Sequence, residues 1–140
     1  MLLGSALAAG LMAQPGPKPL PPAANSLSAL GTIQPGEWRL HPLDHLTQAR
    51  SVCISEASAL LQVSHGGASC SRFVIASSDH EVTVHYTCPG AGHGRTTIRV
   101  ESPKLLQIDT QGIVSNAPFA NAWEGRRTGD CSGKTLGSSH

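Results

Sequence analysis

The chain has 140 residues, and its ten Lys plus Arg nearly balance nine Asp plus Glu, which leaves a formal net charge of +1. This balance gives no electrostatic footprint for nucleic acid or for an anionic membrane surface, so neither partner is predicted. The length fits one domain. Aromatic residues make up only 4% of a chain with 15 Gly and 10 Pro, a composition typical of short strands and turns rather than long helices.

The N-terminal part contains an apolar run from Leu2 to Met12, followed by a proline-rich stretch. The run is too short to cross a bilayer as an ordinary helix, and it matches the apolar part of a secretory signal. A buried apolar helix is the alternative, although the prolines would prevent its continuation. We therefore predict a signal peptide at 1–13, a Pro/Ala/Ser-rich linker at 14–33, one disulfide-linked domain at 34–131 and a flexible tail at 132–140.

The domain is predicted to begin with a short strand and a short helix. The segment "GEWRLHP" has a strand-like pattern with Trp38 as a core anchor. The segment "CISEASALLQVSHGG" predicts a helix that Ser55 caps and that two glycines end. Its apolar residues Ala57, Leu60 and Leu61 fall on one face, which predicts that this face packs on the core.

The next segments predict a hairpin between two cysteines. "SRFVIA" and "VTVHYTC" are β-prone runs on either side of the turn residues "SSDH". If the turn covers Ser78 to His80, Ser77 faces Glu81, and stepping back along the ladder brings Val74 opposite Val84. The same register brings Cys70 opposite Cys88, at a separation that a disulfide can bridge with slight adjustment.

The four cysteines are Cys53, Cys70, Cys88 and Cys131. An even number behind a predicted export signal favours disulfides. Zinc is the competing use, but structural zinc sites bring their ligands in close pairs such as C-x-x-C, and none is present. Spacing alone allows three pairings. The hairpin register selects Cys70–Cys88, which leaves Cys53–Cys131 as the second predicted disulfide.

The rest of the domain predicts further strands at "RTTIRVES", "LLQIDTQGIV" and "APFANAWEGRRTGDC". The loop "CPGAGHG" before them lacks the Lys-Ser/Thr ending and the following helix of a phosphate-binding loop. The predicted fold class is mainly β (α+β), a curved antiparallel sheet of about five or six strands with one short helix.

The histidines and acidic residues predict no catalytic or cofactor site. His80 lies in the predicted turn, and His85 points away from the apolar face of its strand, so both are interpreted as solvent-facing. His41 and His45 have the i,i+4 spacing of a metal-binding pair on a helix, but Pro42 argues against a regular helix there. The remaining histidines lie among glycines or in the tail; they are His65, His93 and His140. Four aspartates lie in or beside predicted turns; they are Asp44, Asp79, Asp109 and Asp130.

Several short motifs between Gln34 and Cys131 occur in an order that resembles a known family. They are "PGEW", "VCISEASA", "CSRF", "YTC", "GRTTIRVES" and "GRRTGDC". The chain resembles the bacterial domain of unknown function family 3617, whose members are small exported proteins with four cysteines in this order. The resemblance implies the compartment and the use of the cysteines, and it implies no activity.

These observations predict a non-enzymatic exported protein of the periplasm or cell envelope that acts as a binding or structural module. Its expected partner is a small apolar ligand held on the apolar face of the sheet, or an envelope protein that meets the edge of the sheet. No cofactor and no transmembrane span in the mature chain are predicted. The alternative is a metal-binding protein or an enzyme that uses surface histidines.

Overall fold

The structure is a computed structural model that describes residues 4–5, 9–16, 27–44 and 48–132. None of the helices in these ranges is long and apolar enough to cross a membrane. Much of the predicted signal peptide and linker, and most of the predicted tail, lie outside the described residues, so those assignments stay predictions.

The described chain forms one sheet of seven strands in the order β2-β1-β7-β6-β5-β4-β3. Every neighbouring pair is antiparallel. The predicted mainly β class is therefore confirmed, although the sheet has more strands than expected. The strands are β1 (Gly36–Pro42), β2 (Arg50–Ile54), β3 (Ser71–Ser77), β4 (Glu81–Cys88), β5 (Gly92–Ser102), β6 (Leu105–Val114) and β7 (Ala117–Gly129).

The strands from β3 to β7 follow one another as consecutive hairpins, and β1 pairs with the free side of β7. The predicted closing strand thus lies inside the sheet rather than at its edge. β2 is a strand that the sequence pattern does not predict. It has five residues and runs almost directly into the next helical segment, so its alternation was too short to identify.

The hydrophobic core lies on one face of the sheet, called here the inner face. Trp38 and Leu40 of β1 are fully buried, as are Val82 and Val84 of β4. Two short 3-10 helical segments, Ser28–Thr32 and Ala57–His65, cover this face and contribute buried side chains to the same cluster. The indole N–H of Trp38 donates to the carbonyl of Gln34 at 2.9 Å, so Trp38 is the core anchor that its position predicted.

The predicted helix forms as the second 3-10 segment rather than as an α-helix. Leu60 and Leu61 are buried as expected, but Ser55 does not cap the segment, because Glu56 occupies the N-cap position without a side-chain hydrogen bond. The backbone leaves helical geometry at Gln62, whose side-chain amide donates to the carbonyl of Ala68 at 2.9 Å. A segment this short depends on packing for its stability, and here packing favours the kinked form.

The first 3-10 segment corrects the predicted boundary of the domain. It lies within the predicted linker at 14–33, yet Ala29, Leu30 and Ile33 are buried in the core. Apolar side chains spaced in this way cover the inner face beside β4 and β5. The packed region therefore begins before Gln34.

The hairpin of β3 and β4 has the predicted pairing at Val74, but its turn and its register near the turn differ from the prediction. The turn is tighter than expected, because the N–H of Ser78 donates to the carbonyl of Glu81 at 2.8 Å and Ser77 pairs with Val82. The register then shifts by one residue between Val74 and Ala76. An extra residue on one strand is a β-bulge, and it restores the predicted pairing of Val74 with Val84.

Both predicted disulfides are present. Cys70 bonds to Cys88 with a Cα–Cα distance of 4.1 Å, at the open end of the β3–β4 hairpin. Cys53 bonds to Cys131 with a Cα–Cα distance of 5.7 Å, which ties edge strand β2 to the chain just after β7.

The two disulfides should differ in their contribution to the free energy of unfolding. Their partners are 18 and 78 residues apart, so the chain-entropy relation gives about 3 kcal/mol for Cys70–Cys88 and about 1 kcal/mol more for Cys53–Cys131. We expect urea unfolding to show a larger loss for Cys53→Ala with Cys131→Ala than for Cys70→Ala with Cys88→Ala. Equal losses would contradict the assignment of the difference to loop length.

Candidate functional site

The strand alternation that buries the core also places a set of polar side chains on the opposite face of the sheet, called here the outer face. In β5 the buried Thr96 and Ile98 alternate with Arg95 and Thr97, and β6 has the same pattern. No helical segment among the described residues covers the outer face, since both contribute their buried residues to the core on the other side. The described residues therefore leave the outer face open to contact with a ligand.

A groove of about 550 Å³ crosses the outer face. Its floor includes Thr97 and the small side chains of Ala120 and Ala122. One wall is the chain just after β1, where the N–H of Leu43 donates to the carbonyl of Ala122 at 2.9 Å. We call this the outer groove, and its lining is Leu43, Asp44, Arg95, Thr97, Asp109, Thr110, Gln111, Ala120, Asn121 and Ala122.

The outer groove presents polar groups without partners in the described part of the chain. Sheet register sets Arg95 opposite Gln111 and Thr97 opposite Asp109. The side chains of Arg95, Asp109 and Gln111 make no hydrogen bond or ion pair to another described residue. Thr97 shares a hydroxyl hydrogen bond of 2.8 Å with Thr83. A guanidinium, a carboxylate and an amide are thus free to bind water or a ligand.

A second groove, of about 410 Å³, adjoins the first and shares Arg95 and Gln111 with it. It contains His85 of β4 and His93 of β5, whose rings stack with centroids 5.8 Å apart and planes 10° from parallel. We call it the histidine groove, and its lining is His85, His93, Gly94, Arg95, Gln111, Gly112, Ile113, Pro118 and Phe119.

The structure places the predicted histidines in different environments. His80 is exposed in the β3–β4 turn and His85 is exposed on the outer face, as predicted. His41 is exposed on β1 and His45 lies outside the described residues, so the alternative of a metal held by this pair stays untested. Within the described ranges, no three His, Cys, Asp or Glu side chains come together in a group that could hold a metal ion.

The carboxylate of Glu124, on β7, is part of the ionic pattern of the outer face. A 2.6 Å hydrogen bond from Arg126 lowers the pKa of Glu124. The charge of His41 on the neighbouring strand acts in the same direction. At this end of the outer face, the carboxylate of Glu124 is therefore paired with the guanidinium of Arg126.

His65 has a structural role that the sequence analysis did not predict. Its ring is 4% exposed, and its Nε2 lies 2.9 Å from the carbonyl of Ile113 while its Nδ1 lies 2.7 Å from the hydroxyl of Tyr86. Because a carbonyl can only accept, Nε2 donates and Nδ1 accepts from Tyr86 in the neutral ring. Gly94 leaves the space for this arrangement, since a Cβ there would lie 2.5 Å from the Tyr86 hydroxyl. His65 thus connects the second 3-10 segment to β4 and β6.

The acidic residues were partly misassigned. Asp79 lies at the β3–β4 turn and Asp130 just after β7, as expected, but Asp109 lies within β6 rather than in a turn. The signal that identifies the groove was present in the sequence. Alternation predicts that Arg95 and Thr97 face away from Ile98, and a short turn at Pro103 then brings β6 alongside with Asp109 opposite Thr97.

Comparison of the chain with protein-family models, curated proteins and solved structures found no match. The resemblance to domain of unknown function family 3617 therefore stays a prediction.

The hydroxyl of Tyr86 should make the fold sensitive to alkaline pH. Burial raises the pKa of Tyr86, so this tyrosine contributes stability that is complete below about pH 10, the pKa of an unfolded tyrosine, and is lost as pH rises through its higher folded-state pKa. We expect Tyr86→Phe to lower the free energy of unfolding by about 1 kcal/mol at pH 8, since the hydrogen bond to His65 is lost. Urea titrations at pH 8 and above pH 10 should show this difference shrinking, and a constant difference would contradict the role of the hydroxyl.

Proposed function

We propose that the protein is a non-enzymatic exported binding module of the periplasm or cell envelope, and that its outer face takes the ligand. The carrying observation is the outer groove, about 550 Å³ in volume, which presents Arg95, Asp109 and Gln111 without partners in the described chain. Ligand sites commonly have volumes of roughly 300–1,000 Å³ and a few polar groups that orient the ligand. The groove has these properties.

The packing of the inner face supports a polar ligand over an apolar one. The apolar face that could enclose a small apolar molecule is filled by side chains of the two 3-10 segments, among them Leu30, Leu60 and Leu61. An apolar ligand on that face would have to displace them, at about 2 kcal/mol or more for each leucine exposed to water. The apolar ligand stays a prediction that requires such a displacement.

The hydrogen bonds of the buried His65 support binding over catalysis at that residue. General base catalysis requires a histidine nitrogen within hydrogen-bond reach of the group that loses the proton. The buried His65 has both ring nitrogens engaged within the fold.

The two disulfides and the predicted signal support the exported location. Disulfides persist in oxidising compartments and are rare where thiols are kept reduced. All four cysteines are paired, which is consistent with an oxidising, exported environment.

Fractionation of the native cells tests the location. We expect the protein in the exported fraction, with peptide mapping without reduction showing the peptides of Cys53–Cys131 and Cys70–Cys88 linked. A protein confined to the cytosol with free thiols would contradict the proposed compartment.

Native mass spectrometry tests whether the outer groove binds a ligand. Protein purified from its native host at low salt should carry a stoichiometric adduct, and Ala120→Trp should remove it, because the indole fills the groove from an exposed position. Glu101→Trp is the matched control, since Glu101 is also exposed on the sheet but does not line the groove. Protein without an adduct, or an adduct that both variants retain, would contradict the proposal.

A further inference from the structure

The charges of the outer face are unevenly distributed along its strands. Register across β4, β5 and β6 aligns His85, Arg95 and Gln111 in one row of side chains. The next row toward the end of the sheet contains His93, with Thr87 on one side and Ile113 on the other. Neither row contains a carboxylate. The carboxylates of the outer face on these strands begin in the row of Asp109, beyond Arg95.

Arg95 differs from the arginine four residues further along the same strand. Arg99 lies on the same face and its Nε is 3.4 Å from a carboxylate oxygen of Glu81. The side chain of Arg95 makes no ion pair or hydrogen bond with any described residue. Its fork of donors is therefore available to an anion, and an arginine binds carboxylates and phosphates in a bidentate way.

The two stacked histidines extend this donor-rich region. His85 lies directly opposite Arg95, and His93 is the diagonal neighbour of His85 across β4 and β5. Protonation would bring two further positive charges to the same groove, where they would repel each other unless an anion lay between or above them. Histidine is the side chain whose charge changes between pH 5 and 8.

One side of the histidine groove is apolar. Ile113, Pro118 and Phe119 contribute to the lining together with the histidines and Arg95. A ligand that fills about 410 Å³ would contact both the donors and this apolar side. Inorganic anions alone would leave the apolar contacts unused.

We propose that the histidine groove binds an organic anion, a carboxylate or phosphate carried on an apolar group, with Arg95 as the main anion-binding residue. The proposal rests on the proposed function, because it specifies the ligand class for part of the outer face. The anion lies on the guanidinium of Arg95 and the amide of Gln111, and the apolar group lies against Ile113 and Pro118, which share the row of His93. Protonation of His85 and His93 strengthens the binding.

The surroundings of the histidines set the direction of this pH dependence. Phe73 of β3 lies opposite His85, and Ile113 of β6 lies opposite His93, so neither partner strand places a charge directly beside them. The charged groups near them are Arg95 and, beyond it, Asp44 and Asp109 of the outer groove. His85 shares the row of Arg95, and the row of Arg95 separates His93 from Asp109, so a bound anion is the group that gains most from protonation of the histidines.

The same guanidinium argues against a metal ion at the histidine pair. Two imidazoles could approach a common cation, since Zn–N bonds of about 2.1 Å would place ring centroids about 5 Å apart. However, Arg95 faces His85 directly across the strands, and its fixed positive charge repels a divalent cation. An anion, in contrast, is attracted by Arg95 and by both protonated imidazoles, those of His85 and His93.

NMR titration of the full oxidised chain tests the proposal with phenyl phosphate, benzoate, inorganic phosphate and neutral phenol as probes. We expect saturable shifts of the His85, His93 and Gln111 signals with phenyl phosphate or benzoate, weaker binding of inorganic phosphate and none of phenol. Arg95→Gln should weaken binding about fivefold or more, the effect of one charge-assisted hydrogen bond at an exposed site. Arg99→Gln is the matched control and should change affinity less than about twofold, because it lies outside the groove.

Benzoate serves for the pH dependence because it stays ionised between pH 5.5 and 8. The affinity for benzoate should rise as pH falls through this range. The double variant His85→Gln with His93→Gln should remove this rise, and Arg95→Gln should still weaken binding in that background. The proposal is overturned by failure of both organic anions to bind, by equal binding of phenol, by equal losses in Arg95→Gln and Arg99→Gln, or by zinc binding that displaces the anion.

The two proposals can fail separately. If Ala120→Trp removes the native adduct and Arg95→Gln leaves it unchanged, the outer face is the binding site and the anion assignment is wrong. If the anions bind at Arg95 but the native adduct is retained in Ala120→Trp, the histidine groove is an anion site and the proposed function of the outer groove is wrong.

Discussion

The burial of only one face of the sheet is the constraint on which the rest of the structure depends. Seven strands share a single apolar layer, and two short 3-10 segments are the only helical cover in the described chain. Because side chains alternate between faces, a slip of one residue would move Trp38 or Ile98 into water and bring Arg39 or Arg99 into the core. The core therefore fixes the register, and the register fixes which polar side chains meet on the outer face. The two grooves follow from how the core is built.

Local sequence was sufficient for the hairpins but not for the details of their turns. Alternation in β4, β5 and β6 identified the buried residues, and the pairing of Cys70 with Cys88 followed from it. The predicted route to that pairing was wrong twice, since the turn is one residue tighter and Ile75 is an extra residue in β3. These two errors offset each other. A bulge leaves little trace in the sequence, because its position depends on strand twist and on packing against the neighbouring strand.

The features that the sequence did not predict depend on contacts between distant parts of the chain. His65 lies at the end of the predicted helix, just before two glycines, and its partners are 21 and 48 residues away. The wall of the outer groove at Leu43 depends on β1 pairing with β7, at the other end of the domain. In contrast, the pair of Thr97 and Asp109 belongs to one hairpin and could have been predicted from alternation and a short turn. Local hairpins were thus predictable, and the arrangement of hairpins beside one another was not.

The bulge at Ile75 has a consequence for the behaviour of the protein in concentrated solution. β3 is an edge strand, and its outward side chains include Phe73, which is 70% exposed, and Ile75, which is 42% exposed. An apolar edge strand that pairs with no further strand in the described part of the chain is a template for edge-to-edge growth of sheets between molecules. The extra residue breaks the regular spacing of the backbone N–H and C=O groups along this strand, so a second chain can pair in register with only part of the strand. The residue that keeps the disulfide in register therefore also protects the protein from aggregating through its most apolar edge.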